Sequence, residues 1–228
     1  MAQQGAKRRR PLSRDKVVAV AVALADKAGL ESVSMRALAR KSRVVPMALY
    51  KHVANKEDLL DGMVDVVFGE VDFPPTGADW RTAMRQRAMS IRDALLRHGW
   101  AIGLMESRTT PGPANLRHHN LVMQCLREAD FPFWTAIRAY NAMDSYIYGS
   151  LLQQKNLPFE TPEEAVEMAA DIMAPPSLAE KYPYLAEVVA ELAKRGFDFG
   201  EEFEYGLDLV LDGIERLRQK EAMTTGSP

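Results

Sequence analysis

Apolar positions recur every three to four residues along most of this 228-residue chain, and no stretch sustains the period-two alternation of a strand, so the pattern predicts an all-α fold. Val17, Val20, Ala21, Leu24, Ala25 and Ala28 trace a first helix. Ser13 caps it, Asp15 complements its dipole and Gly29 ends it. Ser34 caps a second, shorter helix with Leu38 and Ala39 turned inward and Arg36, Arg40 and Lys41 left to solvent. After a tight connection over 42–44, Pro46 suits the first turn of a third helix, where its missing N–H costs nothing, and Leu49 is the inward anchor. Asn55 caps a fourth helix over 55–68, whose apolar stripe is Leu59, Leu60, Met63, Val64, Val67 and Phe68.

The stretch "GEVDFPPTGADW", with two prolines and two glycines, breaks the pattern and reads as the boundary between a small head and a larger body. Beyond it the spacing predicts helices over 79–98, 100–107, 113–129, 133–154, 184–195 and 201–220. A further helix starts at Thr161, where Pro162 and Glu164 complete a capping box. The expected organisation is a disordered basic tail over 1–12, a helix-turn-helix head over 13–58, a linking helix over 55–68, a helical body over 69–222 and a frayed end over 223–228.

Net charge is only −2, but its distribution changes the picture. Residues 1–60 carry 13 Lys or Arg against 5 Asp or Glu, whereas 61–228 carry 16 against 26, so a basic head of +8 joins an acidic body of −10. That asymmetry favours a polyanion at the head and repels it elsewhere. The single Cys125 excludes an internal disulfide and agrees with a reducing compartment. No apolar run reaches membrane-span length and the start lacks the apolar core of a secretory signal, so a cytoplasmic protein with no membrane partner is expected.

Two short basic helices joined by a tight turn and backed by a scaffold helix form a helix-turn-helix layout, whose second helix enters the major groove. A DNA-reading role explains why "RVVPMALYKHV" spends a proline, a methionine, a tyrosine and a Lys-His pair on a stretch too short to be core. Arg36, Tyr50 and Lys51 can donate to phosphates or bases, Pro46 and Met47 suit thymine methyls, and Lys56 at a helix start is placed for the backbone.

The segment "MRALARKSRVVPMALYKHVANKEDLLDGM", and within it "ALYKHVANKEDLL", resembles the DNA-binding segment of the tetracycline-repressor (TetR) family of bacterial regulators. The resemblance covers residues 13–68. It implies that Arg36, Val45, Pro46, Met47, Tyr50, Lys51, His52 and Lys56 face double-stranded operator DNA, with Tyr50 and Lys56 contacting phosphates. It also implies a homodimer reading a partly palindromic operator, through a four-helix bundle for which the helices near 133–154 and 201–220 are the candidates. A small-molecule effector in each body would release the repressor, with the fourth helix acting as the lever. Many members have Gly in the turn where this chain has Arg43, so a looser turn, or a phosphate contact from Arg43 itself, is expected.

The body offers aromatic and methionine side chains over 100–150 with a few polar groups, a mixture suited to a largely apolar effector. The candidate ligand residues are Trp100, Met105, His119, Met123, Trp134, Tyr140, Asn141, Asp144 and Tyr148, all of which could equally be core. His118 and His119 diverge by about 100° as helix neighbours, and with only His98 as a conceivable helper no metal site is assigned. No cofactor is expected. An enzyme is excluded on chemistry: Cys125 with His118 or His119 has no oxyanion-forming loop, and no phosphate loop or dinucleotide fingerprint is present. The remaining alternative is an activator, or a regulator whose body senses another protein.

Overall fold

The computed structural model describes residues 12–73, 77–105, 107–159 and 161–225. The predicted basic tail, apart from its last residue, lies outside them, as do residues 226–228 of the predicted frayed end. Among the described residues there are helices and turns and no strand. The chain forms two compact units, Met1–Cys125 and Leu126–Pro228.

The first unit opens with α1 (Arg14–Ala28), which Ser13 caps by accepting the Lys16 N–H, and which ends at Gly29 with φ +75°, a conformation that glycine adopts without strain. A 3-10 turn over Leu30–Ser32 leads to α2 (Met35–Ser42), capped by Ser34 on the Ala37 N–H. A single helical turn, α3 (Pro46–Leu49), and then α4 (Lys56–Gly69), capped by Asn55 on the Asp58 N–H at 2.8 Å, complete the head. All six apolar positions expected on α4 are buried. On α1 the buried stripe is Val17, Val18, Ala21, Val22 and Ala25, so Val18 and Val22 take inward places that the spacing assigned to Val20, Leu24 and Ala28. An inward stripe wider than one row is what a helix packed on more than one neighbour requires.

α5 (Trp80–Arg97), capped by Asp79, follows in the same unit and buries Ala83, Met84, Arg87, Ala88, Ile91, Ala94 and Leu95. The helix predicted over 100–107 does not form. Gly99–Ala101 is a 3-10 turn, and the described residues up to Ser107 continue as turns. The reason is a tertiary bond: the Trp100 indole donates to Asp26 Oδ1 of α1 at 2.7 Å, and His98 Nδ1 lies 2.7 Å from the same oxygen. The chain is thus drawn onto α1 where a helix would have carried it away. α6 (Pro113–Glu128) spans the division between the units.

The second unit holds α7 (Phe133–Asn156), α8 (Pro162–Met173), α9 (Pro176–Lys181), α10 (Pro183–Arg195) and α11 (Phe199–Thr225). α8 starts at the predicted capping box, with Thr161 and Glu164 satisfying each other's backbone N–H. α9, a six-residue helix between two prolines, was not predicted. α11 continues helical to Thr225, past the point where fraying was expected. α7 and α11 pack along their buried rows, Ala136, Ala139, Met143, Ile147 and Leu151 against Phe203, Leu207, Leu211 and Ile214. Their contact is tight at Gly206, where an added Cβ would lie 2.3 Å from the Tyr146 hydroxyl, which donates to Phe203 O at 2.8 Å. α8 and α10 pack on each other without fully burying any residue, and Ile172, Leu185 and Val188 remain exposed.

Candidate nucleic-acid interface

The two-helix device rests on the turn between α2 and α3. Arg43 takes the left-handed conformation (φ 56°, ψ 46°), its N–H bonding to Arg40 O and that of Val44 to Ala39 O. The turn is therefore as compact as a glycine would make it, and the expected loosening at Arg43 does not occur. The conformation costs a non-glycine residue about 1 kcal/mol. The Arg43 side chain is exposed.

Beyond the turn, Val45 is extended and Pro46 begins α3, where Ala48 N–H bonds to Val45 O. Leu49 and Val53 are buried and pin the turn from beneath, and their carbonyl and amide groups close it at 3.1 Å. A helix this short is unstable in isolation, so these two anchors hold it in place. With the anchors inward, the other side chains point to solvent: Val45 is 67% exposed, Met47 75% and Tyr50 47%. Arg36, Pro46, Lys51 and Lys56 are exposed as well, and His52 is half-buried. Of the eight predicted DNA-facing residues, seven are on the surface. Arg40, Lys41 and Arg43 add exposed cations around the same turn.

The mutual position of these parts is fixed by ion pairs. Arg14 at the start of α1 grips both oxygens of Asp58 in α4 at 2.8 and 2.6 Å, and also donates to the Asp58 and His52 carbonyls. Asp58 accepts the Ala54 N–H at 2.7 Å as well. The Arg14 bond, together with that amide and against the opposing effect of burial, holds the Asp58 carboxyl below its ordinary range. At the other end of α4, Glu70 receives Arg97 at 2.8 Å, while His98 Nε2 lies 3.2 Å from both its oxygens. His98 therefore bridges Asp26 and Glu70 as part of the scaffold. No group of three or more potential metal ligands occurs among the described residues.

The predicted ligand residues fall into two sets. Trp100, Met105, His119 and Met123 lie in the first unit; Trp134, Tyr140, Asn141, Asp144 and Tyr148 lie on α7 of the second. Trp100 and Met105 are buried, His119 and Met123 half-buried. On α7, Asp144 is buried, Tyr140 and Tyr148 half-buried, and Trp134 and Asn141 exposed, so Asn141 and Asp144 do not share one environment.

Sequence reasoning missed the buried polar group at the end of α4. Arg87 of α5, with no exposed surface, donates from Nε to His118 Nε2 of α6 at 2.9 Å. Accepting that hydrogen bond at Nε2 makes His118 the neutral Nδ1–H tautomer, and burial first, then Arg87 and His119, push its pKa down to about 2. Phe68 packs on both histidines, with ring centroids 5.3 and 5.7 Å away, and Phe73 meets His118 edge-on. Nothing in the spacing of Arg87 and His118 signals their meeting, since 31 residues separate them.

Comparison with known proteins agrees with this geometry. Residues 17–63 match the family described as bacterial regulatory proteins, tetR family, and residues 73–218 match the tetracyclin repressor-like C-terminal domain. The chain is 31% identical over 91% of its length to the class G tetracycline repressor protein of Vibrio anguillarum, of which it covers 95%. It is 37% identical to an HTH-type transcriptional regulator of Saccharopolyspora erythraea over 61% of its own length, the match spanning only about 60% of that regulator. Among solved structures, the Streptomyces coelicolor TetR family protein ActR in complex with actinorhodin superposes with a TM-score of 0.75 at 25% identity, covering 91% of this chain and 98% of that one. A helix-turn-helix head on an all-helical body, matched in sequence at both ends, places this chain in the TetR family of bacterial transcriptional regulators.

Proposed function

We propose that the protein is a homodimeric repressor that holds a partly palindromic operator through α2, α3 and the start of α4, and that a small, largely apolar molecule releases it. The observation that carries the reading is the inversion at α3. Leu49 and Val53 are buried while Val45, Met47 and Tyr50 face water beside Arg36, Lys51 and Lys56. Apolar surface is left uncovered there because a groove rich in thymine methyls and phosphates is its partner. The protein acts in the cytoplasm and has no catalytic role, as befits a chain whose named relatives are regulators.

Dimerisation through α7 and α11 is supported by the rows these helices leave uncovered. Trp134 and Leu152 on α7, and Tyr205 and Leu209 on α11, are each about half exposed or more. Ala142, Ser145 and Gly149 are exposed along α7 and let a second pair of helices approach closely. A dimer reads two half-sites roughly 34–36 Å apart, or a multiple of that spacing, which one head alone binds weakly.

Effector release works as a population shift. Phe68, at the carboxyl end of α4, touches His118 and His119, so a ligand lodging among Met105, His119 and Met123 acts on the helix whose other end carries Lys56. It shifts the equilibrium only by its differential affinity for the two positions of that helix. Tetracycline and actinorhodin are the first compounds to try, since a related protein carries tetracycline in its name and another was solved with actinorhodin.

The test is a mobility-shift titration on duplex DNA flanking the protein's own coding region, comparing wild type with Tyr50→Ala. Wild type binds, with affinity falling steeply with salt at a slope of roughly −0.9 per neutralised phosphate, and the variant is folded but weaker. Equal affinity for the two proteins would remove α3 from the interface.

A further inference from the structure

We propose that the start of α3 reads the methyl group of a pyrimidine and nothing else of the base, so that 5-methylcytosine can stand in for thymine in the half-site and cytosine methylation raises affinity. The inference rests on the operator reading above and adds the class of base that α3 accepts. In a helix-turn-helix the first residues of the second helix meet the base edges. Here they are Val45, Pro46, Met47 and Ala48, and none of their side chains carries a nitrogen or an oxygen. Val45 and Met47 stand far out into solvent and Pro46 is exposed beside them. Pro46 has no backbone N–H, and that of Ala48 is already bound to Val45 O.

The residue types that pair with cytosine and adenine are missing around this tip. Cytosine is read by a carboxylate and adenine by a carboxamide. Residues 35–56 contain no Asp, Glu or Gln, and in their one Asn, Asn55, the Oδ1 accepts the Asp58 N–H at 2.8 Å. The Ser42 hydroxyl oxygen is enclosed. What surrounds the apolar tip is cationic, with Arg36, Arg40, Lys41, Arg43 and Lys51 all exposed, a set suited to phosphates and to guanine. That charge selects a nucleic acid as the occupant, since an apolar face of another protein would meet the same cations with nothing to offer them. In the major groove thymine shows O4 and a C5 methyl, and 5-methylcytosine shows N4–H2 and the same methyl, whereas uracil and cytosine have no methyl. An apolar tip gains from the methyl whichever polar group stands beside it. Covering one methyl is worth about fourfold in affinity, and two half-sites raise that to roughly tenfold or more.

The experiment lets the full chain select duplexes from a random-sequence pool, locates the half-sites by footprinting and replaces each protected thymine, in both half-sites at once, by uracil. At the position where uracil weakens binding most, duplexes carrying T·A, U·A, 5-methylcytosine·G and C·G are compared by fluorescence anisotropy at fixed salt. Wild type is expected to hold T·A and 5-methylcytosine·G within threefold of each other, and U·A and C·G roughly tenfold more weakly than either. The same series with Val45→Ala and Met47→Ala assigns the contact: the advantage of T·A over U·A falls at least threefold in one of them, while the salt slope stays that of wild type. Both residues are exposed, so neither change disturbs the fold. Uracil tolerated at every position, a gap of threefold or more between T·A and 5-methylcytosine·G, or a methyl advantage retained in both variants overturns the proposal. A pool that yields no bound sequence sinks the operator reading and this one with it. A selected duplex that binds tightly yet ignores its methyls leaves the operator reading standing and overturns methyl reading alone.

Discussion

Arg14 and Asp58 meet as a two-pronged pair, each guanidinium nitrogen facing one carboxylate oxygen at 2.8 and 2.6 Å, and so bind the first turn of α1 to the first turn of α4. Arg14 also donates to the His52 carbonyl and Asp58 takes the Ala54 N–H, so the pair closes the loop between α3 and α4 from both sides. Both side chains are about a third exposed or more, and solvent screening limits the ion pair itself to about 1 kcal/mol. Asp58→Ala strips both the pair and the amide acceptor and is expected to cost about 1–2 kcal/mol in urea unfolding near neutral pH. The carboxyl pKa is lowered in the folded state, so this contribution is present above the ordinary carboxylate range and vanishes as pH falls through the depressed value. Wild type and Asp58→Ala should therefore converge as pH falls through the depressed value, and a gap that persists undiminished in strong acid would show that the ionised carboxylate is not what matters.

Such a pair illustrates what a sequence withholds. The caps at Ser13, Ser34, Asn55 and Thr161 were legible because each acts on an amide three residues away, and all four hold in the structure. The α4 stripe was legible because periodicity is local too. Contacts across 44 residues, such as Arg14 with Asp58, or across 31, such as Arg87 with His118, leave no trace in spacing. The same limit explains the helix wrongly expected over 100–107, where a bond from Trp100 to Asp26 overrides a helical pattern. α9 escaped notice for the opposite reason, since six residues between prolines hold too few apolar positions to show a period.

Arg43 sits where glycine would be unstrained, with φ 56°. Arg43→Gly is expected to keep the turn and raise stability by up to about 1 kcal/mol, the relief of the left-handed conformation being partly offset by the greater freedom of glycine in the unfolded chain. The arginine earns its place if it contacts DNA. The same variant should then bind duplex more weakly, with a salt slope about one unit shallower. A more stable protein with undiminished affinity would reduce Arg43 to a tolerated defect.

The exposed row on α11 gives the dimer a direct check. Leu209, 55% exposed, lies one turn beyond Tyr205 on the side away from buried Leu207 and Leu211. Leu209→Glu removes apolar area from the proposed seam and brings like charges together across a two-fold axis, at a cost of several kcal/mol to association and little to the fold of the subunit. Sedimentation equilibrium is expected to find wild type as a dimer and the variant largely as single subunits, with operator affinity reduced in step. A variant that remains dimeric would move the seam to another face.

His118 makes a pH dependence that can be worked through in sign. In the folded chain it is neutral, with a pKa lowered to about 2, because it is buried beside Arg87 and its Nε2 accepts a hydrogen bond from the Arg87 Nε–H. In the unfolded chain it titrates near 6.5. Below about pH 6.5 the unfolded state therefore binds a proton that the folded state refuses, and stability falls as the medium becomes more acid. The loss approaches about 1.4 kcal/mol per pH unit and reaches roughly 2 kcal/mol at pH 5 from this residue alone. His118→Gln keeps an acceptor for Arg87 and cannot titrate, so it should be less stable than wild type at pH 7.5 and lose less on acidification. Urea unfolding at fixed protein concentration, at pH 7.5, 6 and 5, follows the gap between the two proteins, which should narrow by about 2 kcal/mol across the series. A gap constant with pH would mean that His118 takes up its proton within the fold, and that the site beside Phe68 admits charge more readily than its burial implies.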